Sequence, residues 1–90
     1  MSEPPKPYRV QFTKTARKDY EAIKDSKLKR GINSIVDDLK GNPYQFKKLS
    51  GPFSHLRSAK TFSFRVLYQI QDEQLLVLVV AVEPRKDAYR

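Results

Sequence analysis

The apolar run over residues 75–82 constrains the fold of this chain more than any other feature of its sequence. A run made of Leu and Val with one Ala is typical of a strand that is covered on both faces of a sheet. It is much shorter than the roughly 20 apolar residues that a helix needs to span a bilayer. The run therefore predicts a buried central strand, and we expect no membrane-spanning segment.

Two more strands are predicted just before this run. Residues 56–60 and 64–70 have strand-like composition, and apolar and polar side chains alternate in much of the second segment. A tight connection at residues 71–73 separates the second segment from the strand over residues 74–82. Short connections of this kind join antiparallel neighbours, so these segments predict a three-stranded antiparallel meander.

The N-terminal part of the chain predicts a further strand. Tyr8, Val10 and Phe12 alternate with polar residues, as in a strand with one buried face. The preceding residues 1–7 are polar and proline-rich and lack the apolar segment of a secretory signal. We expect them to form a disordered arm.

Two helices are predicted between the first strand and the meander. Thr13 is placed to cap the first helix, and the second begins at Ser26 and has its C-cap at Gly41. The second helix carries an apolar stripe made of Leu28, Ile32, Ile35, Val36 and Leu39. The short link predicts an antiparallel hairpin, in which Gly31 would permit close approach to the first helix.

The order of these elements predicts the fold class. A strand, a helical hairpin and a three-stranded antiparallel meander together indicate an α+β fold with one mostly antiparallel sheet, covered by the helices on one face. A length of 90 residues is that of one modest domain, so residues 1–90 are expected to form a single domain.

Positive charge is concentrated in one stretch of the chain. The sequence has 18 Lys and Arg against 10 Asp and Glu, a formal net charge of +8. Residues 39–71 contain no acidic residue, while the basic residues there are Lys40, Lys47, Lys48, Arg57, Lys60 and Arg65. Such segregation favours a polyanionic or acidic partner. Lys47 and Lys48, in a predicted loop over residues 44–54, are candidates either for RNA contact or for a simple solvated face.

The available residue types limit the chemistry of the chain. There is no Cys, which excludes disulfides and thiolate metal sites and fits a reducing cytoplasm. His55 is the only histidine and is interpreted as structural, so a histidine pair for acid–base cleavage of RNA is absent. We expect no metal and no cofactor, and any RNA chemistry would depend on Arg and Lys.

Two segments near the C-terminus resemble the RelE family of toxins. Residues 64–70 read Phe-Arg-Val-Leu-Tyr-Gln-Ile, and residues 79–89 read Val-Val-Ala-Val-Glu-Pro-Arg-Lys-Asp-Ala-Tyr. In that family a strand with an aromatic-Arg-Val-hydrophobic-Tyr pattern precedes a long apolar strand and an Arg-containing turn that ends in Tyr. The resemblance spans nearly the whole chain and implies a RelE-like fold.

The resemblance also implies a function. It suggests the toxin of a type II toxin–antitoxin system, a metal-independent endoribonuclease that cleaves mRNA in the ribosomal A site and inhibits translation. A cognate antitoxin would neutralise it in a cytoplasmic hetero-oligomer. Two alternatives remain open: a non-enzymatic gyrase inhibitor that resembles the ParE toxins, and a catalytically degenerate relative that only binds.

Five residues are candidates for the catalytic site through this resemblance. It implies that Arg65 and Arg85 contact the scissile phosphate and that Tyr89 lies beside them. Arg57 and Lys60 are the candidates for an upstream basic role, and Lys60 is the better candidate for the proton acceptor.

The chain departs from the family pattern just before Arg85. Many relatives have Gly followed by His or Lys there, whereas this sequence has Glu83 and Pro84. The departure replaces a basic or flexible contact with an acid and a rigid residue, which implies lower activity.

Overall fold

The computed structural model describes residues 7–84 and confirms the predicted α+β fold. Of the predicted arm only Pro7 is among them, and the candidate residues Arg85 and Tyr89 lie outside the described residues. The helices and strands are β1 (Arg9–Phe12), α1 (Lys14–Ala22), α2 (Ser26–Gly41), β2 (Lys47–Lys48), β3 (Arg57–Thr61), β4 (Phe64–Gln71) and β5 (Leu76–Pro84). Short 3-10 turns precede β2, precede β3 and join β4 to β5.

The described strands form one five-stranded sheet in the order β1-β5-β4-β3-β2. β1 pairs parallel to β5, and the other pairs are antiparallel, which confirms a mostly antiparallel sheet. The middle strand is β4, not the apolar β5 that we expected there. The expectation that β5 is covered on both faces was also wrong, because Leu78 and Ala81 remain partly exposed on the face opposite the helices.

Side-chain caps explain where the helices begin and end. Thr13 Oγ1 accepts a hydrogen bond from the backbone N–H of Ala16 at 3.1 Å, as expected for the cap of α1. The carboxylate of Asp25 accepts one from the backbone N–H of Lys27 at 2.8 Å at the start of α2. The predicted C-cap at Gly41 was wrong by one residue. The C-cap is Asn42, whose extended backbone precedes a proline and ends the helix there.

Both helices pack on the same face of the sheet and enclose the core. The buried cluster joins the apolar stripe of α2 to alternate residues of the central strands. It contains Ala16, Ile23, Ile32, Ile35, Leu39, Ala59, Val66, Tyr68, Val77, Val79 and Val82. Tyr68 is fully buried in this cluster, and its hydroxyl donates a hydrogen bond to the carbonyl oxygen of Pro43 at 2.6 Å. The core thereby ties β4 to the end of α2.

Gly31 makes its close approach to the sheet and not to α1. A Cβ at this position would lie against Thr61 Oγ1 and 3.0 Å from the ring of Phe62. The lack of a side chain therefore lets α2 pack on the connection between β3 and β4. The expected approach to the first helix was wrong.

The predicted loop over residues 44–54 contains a strand that we did not predict. Lys47 and Lys48 form β2, which pairs with β3 at the edge of the sheet. Two charged residues carry no alternation of apolar and polar side chains, so sequence patterning does not reveal such a strand. Within residues 7–84 no helix is long and apolar enough to cross a membrane.

Candidate functional site

The candidate site lies on the face of the sheet opposite the helices, which we call the open face. Successive residues of a strand point to opposite faces. Because Ala59, Val66 and Val82 are buried under the helices, their neighbours along the chain point to the open face. The pairing register then places Lys60 beside Arg65 and Arg65 beside Glu83. These three residues form one row across β3, β4 and β5.

Arg65 is paired with a carboxylate in this row. Its Nε and Nη2 atoms donate hydrogen bonds to the same oxygen of Glu83, Oε1, at 3.0 Å and 2.8 Å. The side chains are 24% and 39% exposed, so solvent still reaches both of them. The carboxylate offsets much of the positive charge that Arg65 would otherwise present.

Lys60 remains a free cation next to this pair. Its side chain is exposed, and within the described part of the chain it makes no ion pair. Lys60 and Arg65, two of the five predicted catalytic residues, are therefore brought together on one face. Their assigned roles in catalysis remain predictions.

A second row on the open face lies next to the first. Lys47 of β2 is in register with Ser58 of β3, and Ser58 is in register with Leu67 of β4. Ser58 is 5% exposed, and its hydroxyl has no hydrogen-bond partner among residues 7–84. Buried hydroxyl groups are normally paired, so this one is an exception within the described part of the chain. Sequence reasoning missed Ser58, because nothing in its local pattern marks it.

Arg57 is not brought together with Lys60 and Arg65. It is in register with the buried Tyr68 and therefore points to the helix side of the sheet. Its Nη1 atom donates hydrogen bonds to the backbone carbonyl oxygens of Phe46 at 2.7 Å and Tyr44 at 3.3 Å. Its Cζ atom also lies 5.0 Å from the centroid of the Tyr44 ring. Of the two candidates for the upstream basic role, only Lys60 is on the open face.

A clasp made of Tyr8, Tyr44 and Asp72 holds the ring beneath Arg57. The hydroxyl of Tyr8 donates to Asp72 Oδ1 at 2.7 Å, and the hydroxyl of Tyr44 donates to Asp72 Oδ2. Two hydrogen bonds lower the pKa of Asp72, and the one from the Tyr44 hydroxyl has a larger effect than the one from the Tyr8 hydroxyl. The bond to the carboxylate raises the pKa of Tyr8 to about 12. The clasp joins the start of β1, the turn after α2 and the β4–β5 connection.

The three aromatic residues of the loop over residues 44–54 differ in burial. Phe46 packs against the core, with its ring centroid 6.4 Å from that of Tyr68 in an edge-to-face arrangement. Tyr44 and Phe53 are 45% and 58% exposed. Only the last two present their rings to solvent.

The assembled residues can bind an anion but form an incomplete centre for RNA cleavage. Arg65 supplies two parallel donors that suit a phosphate, and Lys60 supplies a second cation in the same row. A third candidate, Lys47, belongs to the neighbouring row of the same face. Cleavage through the RNA 2′-hydroxyl also requires a proton donor for the leaving oxygen. No side chain of the described open face is an evident donor.

Comparison with known proteins shows the family of this chain. Residues 10–89 match the sequence profile described as the ParE toxin of the type II toxin–antitoxin system parDE. The chain is 35% identical over 89 residues to Toxin RelG of Mycobacterium tuberculosis, covering 93% of this chain and 98% of that protein. It is 28% identical over 85 residues to Toxin RelE of the same organism, covering 93% and 88%.

Solved structures agree with these sequence matches. The toxin–antitoxin complex RelBE2 of Mycobacterium tuberculosis matches with a TM-score of 0.79 and 31% identity, covering 88% of this chain and 99% of that one. The isolated Escherichia coli RelE toxin matches in fold with a TM-score of 0.74 and 22% identity, covering 91% and 90%. The chain therefore belongs to the ParE toxin family of type II toxin–antitoxin systems, within the RelE/ParE superfamily. This confirms the resemblance found in the sequence.

Proposed function

We propose that this toxin is a metal-independent endoribonuclease that cleaves mRNA in the ribosomal A site and thereby inhibits translation. The observation that carries the proposal is the row of Lys60 and Arg65 on the open face, in a chain that is 35% identical to a RelG toxin. A phosphodiester is the ligand that suits an arginine and a lysine placed side by side. The absence of histidine from this face makes charge stabilisation the main contribution to the rate.

In this mechanism Arg65 binds the scissile phosphate and stabilises the charge that develops there. Lys60 in its neutral form accepts the proton of the attacking 2′-hydroxyl. The bond between phosphorus and the 5′-oxygen then breaks, and the 5′-oxygen takes up a proton from solvent, which leaves a 2′,3′-cyclic phosphate and a 5′-hydroxyl group. Arg85 and Tyr89, outside the described residues, are proposed to complete the centre as a second phosphate ligand and a group beside the cleaved bond. Lys47 would contact the RNA backbone next to the centre.

Glu83 competes with the substrate for Arg65. The carboxylate occupies the Nε–Nη2 edge of the guanidinium group, so a phosphate would either bind the remaining Nη1–Nη2 edge or displace Glu83. The pair is partly exposed, so the exchange of one anion for another costs little. Glu83 would thus weaken RNA binding without abolishing it, as the departure from the family pattern implies.

We also propose a cognate antitoxin that neutralises this toxin in a cytoplasmic hetero-oligomer. Support comes from the matching structures, several of which are toxin–antitoxin complexes, among them the RelBE complex of Escherichia coli. The open face offers partly exposed apolar side chains of β4 and β5 next to cations. Such a surface would suit an acidic amphipathic segment.

Induction of the toxin without an antitoxin tests the proposed activity. RNA 5′ ends would be mapped on a translated and an untranslated copy of one transcript. We expect cuts confined to the translated copy, growth arrest, and loss of both with Arg65→Ala. The matched control is Lys18→Ala, which removes a cation from the exposed side of α1 and should leave cleavage intact. Cleavage that persists with Arg65→Ala would show that the assigned site is wrong.

A gyrase inhibitor is the second candidate function. The profile match to a ParE toxin and the neutralisation of Arg65 by Glu83 favour this alternative. It predicts growth arrest with intact transcripts, accumulation of gyrase-linked DNA breaks, and no loss of toxicity with Lys60→Gln. The same induction experiment separates the two functions, because only the nuclease leaves new RNA 5′ ends.

A further inference from the structure

We propose that the toxin has a second anion site, on the helix side of the sheet edge, that binds a phosphate group of RNA. The site is a pocket of about 170 Å³ beside β2 and β3. Its polar lining consists of Tyr44, Lys48, Ser54, His55 and Arg57. The choice of RNA as the source of the phosphate rests on the proposed function, whereas the affinity for phosphate does not.

Arg57 is held in one orientation by hydrogen bonds from Nη1, so its other N–H groups can donate to a ligand. Its Nη1 atom is fixed by two carbonyl oxygens, and its guanidinium group lies over the Tyr44 ring. Among residues 7–84 its Nε and Nη2 atoms have no hydrogen-bond partner, and no carboxylate pairs with it. An arginine already fixed in one orientation loses little side-chain entropy when a ligand binds.

The Tyr44 ring beneath Arg57 is also fixed in position. Tyr44 donates its hydroxyl to Asp72, which also accepts a hydrogen bond from Tyr8. Three separate parts of the chain therefore hold the ring on which the guanidinium group rests. Asp72 contacts the edge of that ring and does not line the pocket, so it leaves the charge of Arg57 uncompensated.

The rest of the lining adds to the positive charge. Lys48 is the cross-strand neighbour of Arg57 and is exposed without an ion pair in the described part of the chain. His55 supplies an imidazole and Ser54 a hydroxyl group to the same lining. Of the Asp and Glu residues within 7–84, none lines the pocket. Two cations, an imidazole and a hydroxyl group around a small cavity match the charge and the acceptors of a phosphate.

The position of β2 connects this pocket to the open face. Lys47 is in register with Ser58, on the face of Arg65, whereas Lys48 is in register with Arg57, on the face of the pocket. β2 is the outermost strand, so its adjacent lysines place one cation on each side of the sheet edge. A single RNA strand bound at Arg65 could pass over this edge and bring another of its phosphates to Arg57. A continuous basic path favours nucleic acid over an acidic peptide.

His55 provides a direct probe of the pocket, because it is the only histidine in the sequence. We would follow its ring Cε1–H resonance by NMR in the Arg65→Ala background, which prevents cleavage. The added molecules are inorganic phosphate, an RNA tetranucleotide with a 5′-phosphate, and the same RNA with a 5′-hydroxyl. We expect all three to move the resonance. Equal RNA affinities indicate a backbone phosphate, and tighter binding of the phosphorylated RNA indicates a terminal one.

Charge-removing variants locate the bound phosphate. We expect Arg57→Gln to weaken RNA binding at the pocket about tenfold, because it removes charge-assisted hydrogen bonds. Lys48→Gln should weaken it about threefold, as an exposed cation contributes less. The control Lys18→Gln makes the same change of charge on α1, far from β2, and should alter the affinity only slightly. If Arg57→Gln fails to fold by circular dichroism, the exposed Lys48→Gln still decides the question.

Three outcomes would overturn the proposal. They are a His55 resonance that does not move, equal effects of Lys48→Gln and Lys18→Gln, and a response to an acidic peptide but to neither phosphate nor RNA. The last would make the pocket a protein-binding surface. Phosphate binding without RNA cleavage in cells would refute the proposed nuclease and leave the pocket intact. Cleavage in cells with no response at His55 would refute the proposed pocket and leave the proposed nuclease intact.

Discussion

Arg57 and Arg65 lie on neighbouring strands of one sheet, yet their guanidinium groups are held in different ways. Arg65 donates to a carboxylate on the open face, at 2.8 Å and 3.0 Å. Arg57 donates to two backbone carbonyl oxygens on the helix side and rests on an aromatic ring. Carbonyl oxygens fix a guanidinium group without cancelling its charge, whereas a carboxylate does both. Arg57 therefore keeps its full attraction for an anion, whereas Arg65 binds an anion with its charge already offset by Glu83.

The two faces of the sheet also differ in how completely their side chains are buried. On the helix side Tyr68 is completely buried, and its hydroxyl group is paired. Burial also raises the pKa of Tyr68 to about 12. On the open face Leu67, its neighbour in the chain, remains partly exposed. Stability should therefore depend more on the residues of the helix side, and less on those of the open face around Arg65.

The largest expected effect is the difference in the free energy of unfolding between the variants Tyr68→Ala and Leu67→Ala. Loss of a buried aromatic ring and its cavity should lower the free energy of unfolding by about 3–5 kcal/mol. Loss of a half-exposed leucine should lower it by roughly 1 kcal/mol, because only part of the side chain is removed from water. Urea denaturation followed by circular dichroism measures both. Similar losses would mean that the open face is packed as tightly as the core.

A smaller effect separates the two arginines in stability. Arg57→Gln removes the donor of two carbonyl oxygens, one of them beside the core, and should cost about 1–3 kcal/mol. Arg65→Gln breaks a partly exposed ion pair and should cost less than about 1 kcal/mol. The same urea experiment compares them. A larger loss for Arg65 would show that its pair with Glu83 is a structural bond and would weaken its assignment to substrate binding.

The smallest expected effect is on RNA affinity and concerns Glu83, the carboxylate that is paired with Arg65. Glu83→Gln should tighten the binding of a short uncleavable RNA a few-fold and make its salt dependence steeper, by about 0.7 in the slope of log K against log salt. The control is Glu73→Gln, which makes the same change in the exposed turn before β5. RNA affinity measured over a series of KCl concentrations distinguishes Glu83→Gln from the control Glu73→Gln. The gain should vanish when Arg65→Gln is added, and a gain that persists would mean that Glu83 acts only through the net charge.

The element order was predictable from the sequence because each element carries its own local signal. The strand alternation, the cap at Thr13 and the apolar stripe of α2 depend on residues close in the chain. β2 gave no such signal, since two exposed lysines form a strand only where β3 offers an edge to pair with. The C-cap moved from Gly41 to Asn42 because the proline that follows restricts Asn42 to extended backbone.

The candidate site was predictable only in part. Residue type and family pattern selected Lys60 and Arg65, whereas the pairing of β3 with β4 places them on one face. The same pairing puts Arg57 on the other face, opposite the buried Tyr68. Ser58 is distinguished by burial without a partner, which is a property of its surroundings.

By itself the sequence determined the class of fold, the basic surface and the side chains that can bind a phosphate, because these follow from local periodicity and residue chemistry. The tertiary structure alone decided which charges meet. The β4–β5 pairing begins with Gln71 opposite Leu76, and a regular ladder from there would place Glu83 opposite Phe64. An irregularity between Leu67 and Tyr68 shifts the register by one residue and brings Glu83 opposite Arg65. A one-residue shift moves a side chain to the other face of a sheet, and no local pattern encodes it.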